Sequence, residues 1–314
     1  MKNFLLKLCD HPVLGALIGW FGKSFLRHPL LFGLRNPFHV SHLVIARDDS
    51  HYITTPNSYL FLGSPESARL TFDGSTYEPE IAFLFKRLTS PGDVVLDIGA
   101  NVGLHTVTLS KLVGSGRVVA FEPVTEMADT LSANCAFNRS ENVTLVRAAL
   151  GKESGVADIM VNQGDPGMEG TNSMIQSVHL TNNPDRYQSR QIPVVRLDDI
   201  AENLGLRDRV NLIKIDTEGF EPMVIEGGLK ILRATRPIMI VEAHSKRLEA
   251  VGLSFSWYKE TFPDYHIFII HAVTPANPYM RIEPLHGEPP EIAVNLLLLP
   301  NIKQFDLTAM KKAD

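Results

Sequence analysis

Val94-Val95-Leu96-Asp97-Ile98-Gly99-Ala100-Asn101-Val102-Gly103 decides the fold. A short apolar run carries an acid near its end, a glycine-bearing turn follows, and a helical pattern begins behind the turn. That is the pattern of a parallel strand buried on both faces, delivering a ligand loop at its carboxyl end. About one helix later a second apolar run, Arg117-Val118-Val119-Ala120-Phe121, ends in Glu122-Pro123. An acid at the tip of the second strand is placed to take the two hydroxyls of a ribose.

The spacing inside the loop narrows the ligand. A dinucleotide loop needs G-x-G-x-x-G so that the backbone can approach a pyrophosphate. Here Gly99 and Gly103 enclose Ala100, Asn101 and Val102, and the middle glycine is missing. Asp97 stands just before the turn, where it would repel a phosphate and attract a cation. S-adenosylmethionine carries an ammonium and a sulfonium beside its ribose. The residues therefore point to that cofactor, bound by Asp97, Gly99, Asn101, Gly103 and Glu122. A tight strand-to-helix turn with no ligand is the plain alternative.

Outward from this stretch, strands and helices alternate. A helix is expected over residues 78–88, with Ile81, Phe83, Leu84 and Leu88 on its apolar spacing, and Pro91-Gly92-Asp93 breaks it. Helices follow the first two strands over 102–112 and 125–138, and a third strand covers 143–149. Residues 155–196 leave the pattern. They read as an inserted β flap around a polar loop, 163–173, whose Thr171-Asn172-Ser173 would close over a substrate. Alternation resumes with a strand at 210–216, a helix at 220–232 and a strand at 237–242, and the tail offers strands at 265–271 and 292–299. Repeated strand–helix units predict an α/β fold, a doubly wound, mostly parallel sheet.

Composition is that of an ordinary soluble globular protein. The 314 residues are 44% hydrophobic and 21% charged, with a net charge of −5. Nothing in that balance makes a nucleic-acid surface. Cys9 and Cys135 form no metal or disulfide pattern, so a reducing, cytoplasmic compartment is expected. The first 32 residues are apolar but punctuated by Lys2, Lys7, Asp10, Lys23 and Arg27, too often for a bilayer span. Phe4, Leu5, Leu8, Leu14, Leu17, Ile18 and Phe21 fit helical faces. Such a helix must dock on its own domain, on a second copy of the chain, or on a membrane surface. Protein docking is the expectation because the basic excess is small.

In an open parallel sheet ligands bind beyond the carboxyl ends of the strands. Four strands here end in polar groups: Asp97, Glu122, Asp216 and the trio Glu242-Ala243-His244. Each alone would pass for a helix cap or a surface acid; together they outline one edge.

At this point the chain resembles a known family. Asp97-Ile98-Gly99-Ala100-Asn101-Val102-Gly103, Phe121-Glu122-Pro123 and Ile215-Asp216-Thr217-Glu218-Gly219-Phe220-Glu221 are similar to the motifs of the FkbM methyltransferases. The likeness runs from about Tyr77-Glu78 to about His244 and includes Arg196-Leu197-Asp198-Asp199. It implies the seven-stranded, Rossmann-like methyltransferase sheet over residues 76–300; residues 1–75, outside the likeness, read as an N-terminal helical extension and a small β segment, and 301–314 as a tail. It adds Glu78 to the cofactor set. It implies S-adenosylmethionine as cofactor and O-methylation of a sugar, glycolipid or secondary metabolite. His105 departs from the pattern, where the family often has an aromatic residue.

The chemistry needs a base for a hydroxyl proton, because the sulfonium already activates the methyl group. Asp216, Glu242 and His244 are the candidates. A divalent cation, Mg or Mn, held by Asp216 and Glu242 is the alternative, since oxygen-rich sites prefer those ions. The expected partner is a small-molecule or glycan acceptor with a free hydroxyl; a homo-oligomer and peripheral membrane contact through the N-terminus stay open. Two other classes compete: a nicotinamide-dependent oxidoreductase, which needs the missing pyrophosphate loop, and a silent Rossmann-like binding subunit, against which the intact cofactor motifs argue.

Overall fold

The computed structural model describes residues 78–162, 174, 187–206, 208–273, 280–289 and 292–301, and the backbone of four further strands within 30–63. The expected N-terminal helix and the Thr171–Ser173 tip of the flap lie outside the described residues.

Those four strands, β1 (Leu30–Asn36), β2 (His39–Arg47), β3 (Ser50–Thr54) and β4 (Leu60–Gly63), form an antiparallel meander. The chain then enters α1 (Pro79–Leu88), which opens on a proline at its first turn, where no amide hydrogen is needed. Ile81, Leu84 and Phe85 on its inner stripe are buried completely. From there the alternation proceeds through β5 (Val94–Ile98), α2 (Leu104–Val113), β6 (Arg117–Phe121), α3 (Thr125–Phe137) and β7 (Val143–Val146).

The stretch read as one strand at 143–149 is two. After β7 the chain leaves the main sheet, and Ala149–Leu150, β8, joins a separate three-stranded sheet with β9 (Gly155–Asn162) and β10 (Tyr187–Val195). β9 and β10 are an antiparallel hairpin, the inserted flap. The main sheet resumes after α4 (Leu197–Asn203) with β11 (Val210–Ile215). The helix expected over 220–232 is also two, α5 (Glu221–Gly227) and α6 (Leu229–Thr235). The break has a steric cause. A Cβ at Gly227 would sit 2.0 Å from the Gly151 carbonyl oxygen, and one at Gly228 would sit 2.6 Å from Leu197 Cδ2. The helix turns where backbone and side chains press against it.

β12 (Ile238–His244), α7 (Ser245–Ala250), α8 (Ser256–Thr261), β13 (Tyr265–His271), β14 (Arg281–Pro284) and β15 (Ala293–Pro300) complete the sheet. Its order is β14-β13-β15-β12-β11-β5-β6-β7. The five strands from β12 to β7 are parallel; β15 and β14 run against them, so that the pairings of β15 with β12 and β13 and of β14 with β13 are antiparallel. The seven expected strands are all present, and β14 adds an eighth at the edge.

The two-residue period of the strands sorts their side chains. Leu96, Ile98, Ile213, Ile215, Met239 and Val241 pack on one face with Val224, Ile225 and Tyr258. Val95, Leu212, Ile240 and Leu297 pack on the other with Ile81, Phe85 and Leu109. Asp97 and Lys214 follow the parity of the second face and stand side by side in register. Strand order reverses between β5 and β11, so the crevice for ligands opens there. Among the described residues no helix is long and apolar enough to cross a membrane.

Candidate active site

The loop after β5 is bent by its two glycines. Gly99 has φ +79°, and a Cβ there would lie 1.7 Å from the Asp216 carbonyl oxygen. The loops after β5 and β11 thus touch backbone to backbone, and Asp216 N donates to Ile98 O at 3.0 Å. Gly103 has φ +89° and a Cβ there would lie 2.9 Å from Leu131 Cγ. Gly103→Val should therefore lift α2 from α3 and abolish binding of S-adenosylhomocysteine in a calorimetric titration. Undiminished binding would show that the turn tolerates the added bulk.

Asp97 is wholly buried, under α2. Its Oδ2 accepts the Thr106 hydroxyl at 2.5 Å, while its Oδ1 has no hydrogen-bond partner among the described residues. Asn101 Oδ1 is likewise buried without one. Buried polar atoms are nearly always paired, so both are positions for a ligand or an ordered water.

Glu122 sits where the sequence places it, but its first task is local. Oε2 accepts Asn101 N at 2.9 Å and Oε1 accepts Val124 N at 2.9 Å, so the carboxylate ties both loops together. Burial pushes its carboxyl up to about 7; the two amides oppose the rise and the charge of Asp97 adds to it. Hydroxyl donors would favour the ionised form. Affinity for S-adenosylhomocysteine should accordingly fall about tenfold between pH 8 and pH 6. A flat profile there would remove Glu122 from the binding equilibrium. Glu122→Ala should cost on the order of 1.5–3 kcal/mol of binding.

Glu78 caps α1 in the left-handed region, φ 44°. Its Oε2 meets His105 Nε2 at 2.7 Å, and it also bonds the Asn295 side chain. Burial pushes its carboxyl up, but the His105 bond and the charges of His105 and Lys214 outweigh that and take it down to about 2. His105 is itself buried, edge-on to Phe85 with ring centroids 5.3 Å apart. The family departure noted at this position thus anchors Glu78 and fills an apolar niche.

The second half of the site lies across the switch point. Asp216 and Glu242, both expected, are joined by Glu218, so that one oxygen from each lies within 4.8 Å of the others. Lys214 Nζ reaches Asp216 Oδ2 at 2.9 Å. Arg247, on α7, pairs with Glu218 and lies 3.4 Å from Glu242 Oε2. Glu221 Oε1 accepts Thr217 N, Thr217 Oγ1 and Gly219 N at 2.8–3.0 Å and so shapes the turn that carries Glu218. His244 shares a face of β12 with Glu242 by the two-residue period. It stands apart from the three carboxylates, and its buried Nδ1 has no partner among the described residues. Desolvation and the charges of Arg247 and Lys246 lower its affinity for a proton.

Crowding shows in the carboxylates. Burial, then the neighbouring Asp216 charge, raises Glu218 to about 7 against the pull of Arg247. Burial and the charges of Asp216, Glu218 and Glu221 raise Glu242 to about 9. Folding therefore favours their protonated forms. Their contribution to stability is whole below the ordinary value of 4.5 and is lost as pH rises through about 7 and about 9. Glu78 acts in the opposite sense, losing stability only as pH falls from 4.5 towards about 2. The ligand-free protein should melt at progressively lower temperature from pH 6 to pH 9. A rise over that interval would contradict the burial of these acids.

Glu218, Lys214 and Arg247 were absent from the candidate set. The sequence does carry one signal for Glu218: it is a second acid, beside a glycine, in Asp216-Thr217-Glu218-Gly219. Among the described residues five non-glycines have positive φ, and three of them, Glu78, Asn101 and Glu218, are in the site. Strained backbone of this kind concentrates where function demands it.

Comparison with known proteins identifies the family. Residues 97–272, more than half of the chain, match the model described as the methyltransferase FkbM domain. Among curated proteins, AMB antimetabolite synthetase AmbE of Pseudomonas aeruginosa is 29% identical over 185 residues, covering 50% of this chain and 9% of that protein. Hexuronic acid methyltransferase AglP of Haloferax volcanii is 26% identical over 168 residues, covering 54% of this chain and 63% of its own length. 2-O-methyltransferase NoeI of Sinorhizobium fredii is 28% identical over 157 residues, covering 48% and 63%. The match thus spans less than two thirds of each of these relatives. With its glycine loop, its strand-tip acids and a matched segment running from Asp97 through β13, the chain belongs to the FkbM methyltransferase family.

Proposed function

We propose that this protein transfers a methyl group from S-adenosylmethionine to a hydroxyl of a sugar, glycolipid or secondary metabolite. The observation that carries the reading is the contact between Gly99 and Asp216. It sets the cofactor loop of β5 directly against the carboxylate group at the ends of β11 and β12.

The cofactor half fits the group. Asp97 Oδ1 is a buried acceptor in need of a donor, which the ammonium of the methionine portion would supply. Gly99 and Gly103 let the loop take its left-handed turns and pack against Asp216 and Leu131, where a Cβ would clash. Glu122 keeps lone pairs for the ribose while its amide bonds fix its orientation. When bound, S-adenosylmethionine supplies an activated methyl group on its sulfonium, so the remaining work falls to the protein. The carboxylates align the acceptor hydroxyl and take its proton. A base works best when its pKa lies near the working pH, and the acids around Asp216 are raised in that direction. One oxygen of each carboxylate lies within 4.8 Å of the others, so a proton taken up by one is felt by all three. His244 Nδ1 and Arg247 Nε, buried and without partners among the described residues, suit an acceptor rich in hydroxyls. The name of NoeI, a 2-O-methyltransferase, supports transfer to an oxygen, and that of AglP, a hexuronic acid methyltransferase, supports a sugar-derived acceptor.

Calorimetric titration with S-adenosylhomocysteine and with NAD tests the cofactor. Binding of the first alone is expected. Binding of NAD alone would make the protein an oxidoreductase, and binding of neither a silent member of the family. Transfer of labelled methyl to a panel of glycans then tests the acceptor, and a chelator should leave the turnover unchanged.

A further inference from the structure

Oxygen atoms of Asp216, Glu218 and Glu242 converge as the ligands of a hard divalent cation would. Two side-chain cations already hold them. Lys214 Nζ is 2.9 Å from Asp216, and its side chain is 4% exposed. Arg247 is 11% exposed and reaches two carboxylates at once: Nη2 pairs with Glu218 and Nη1 is 3.4 Å from Glu242. Glu218 stands on the loop after β11, Glu242 on β12, and Arg247 follows three residues after the end of β12, on α7. A planar guanidinium spans two carboxylates in a way that a single ammonium does not. A divalent ion at the same place would face two fixed positive charges that little water screens, so it does not fit the site as built.

We infer that Arg247 is the resident cation of this site. Its guanidinium takes the place of a metal ion, cross-links Glu218 to Glu242, and sets their spacing against Asp216. Arg247 is thus a positioning residue, acting through the carboxylates. The charged and titratable groups around it are Lys214, Asp216, Glu218, Glu221, Glu242, His244 and Lys246, with Tyr258 buried beside Glu221 and Glu242. Its catalytic meaning rests on the proposed acceptor site; its geometry does not.

The test is binding of Mn²⁺ to the full chain, read by electron paramagnetic resonance at about pH 8, where metal competes better with protons. The wild type and Arg247→Lys, which keeps the positive charge, should bind no Mn²⁺. Arg247→Ala should bind one ion per chain, and adding Glu242→Gln should abolish that binding. Arg247→Gln repeats the measurement should the alanine variant fail to fold. Mn²⁺ bound by the wild type and lost in Glu242→Gln would overturn the inference, as would a folded Arg247→Ala or Arg247→Gln that binds none. S-adenosylhomocysteine titrated in parallel should bind all variants equally. Its failure to bind even the wild type would overturn the proposed methyl transfer and leave the Mn²⁺ result to stand by itself.

Discussion

Gly99→Ala is expected to destabilise the fold by about 4 kcal/mol and to abolish binding of S-adenosylhomocysteine. Two costs add. Alanine at φ +79° is strained by about 1–2 kcal/mol before any contact is counted. The new Cβ would then stand 1.7 Å from the Asp216 carbonyl oxygen and 2.8 Å from its carbon, both backbone atoms that cannot swing away. Relief requires β5 and β11 to separate at their carboxyl ends. That breaks the bond from Asp216 N to Ile98 O and strains the bonds from Gly99 N and Ala100 N to Phe121 O, which hold the loop from the other side. Urea unfolding with and without S-adenosylhomocysteine measures both effects. A variant within 1 kcal/mol of wild type that still binds would mean that the two loops are not in contact.

Asp216→Asn should lower turnover by about 10²–10⁴ while leaving the affinity for S-adenosylhomocysteine within about twofold. The amide keeps the size of the side chain but can neither hold the hydroxyl proton nor neutralise Lys214. Its neighbours on the cofactor side, Asp97 and Glu122, are untouched by the change. The split between the two readouts is the point of the experiment. Equal losses in both would make Asp216 a structural partner of Lys214. A loss of turnover under tenfold would move the proton to Glu218 or Glu242. Glu242→Gln is the companion variant. An amide resembles the protonated carboxyl that burial and neighbouring acids favour, so the protein should stay as stable as wild type near pH 7.

The cofactor side of the site was legible because its signals are local. Val94–Ile98 and Arg117–Phe121 are short runs, apolar apart from Asp97 and Arg117, and each is followed by a turn, with a buried acid at or just past its end. Burial on both faces selects such runs regardless of what lies beyond them. Gly99 and Gly103 were visible as turn residues, and both adopt positive φ. The elements that changed were set by contacts between distant segments. The helix over 220–232 splits because Gly227 meets Gly151 and Gly228 meets Leu197. The strand over 143–149 divides because Val194 and Val195 of β10 draw Ala149 and Leu150 into a second sheet.

By itself the sequence determined the doubly wound class, the order of cofactor loop and strand-tip acid, and the presence of Asp97, Glu122, Asp216 and Glu242 at one edge. Hydrophobic periodicity and turn chemistry act within a few residues, so they can be read along the chain. Only the tertiary structure decided how the acids are balanced. Glu218 joins Asp216 and Glu242 because the Glu221 carboxylate bends the intervening turn, and His244 is left outside the group. Lys214 and Arg247 look like an oddity in a strand and a surface charge on a short helix. They become the counter-ions of the site because β11 and β12 are parallel neighbours and α7 leaves the end of β12 at the same sheet edge, where β11 also meets β5. The energy of a charge depends on what faces it at a few ångströms, and sequence spacing does not carry that distance.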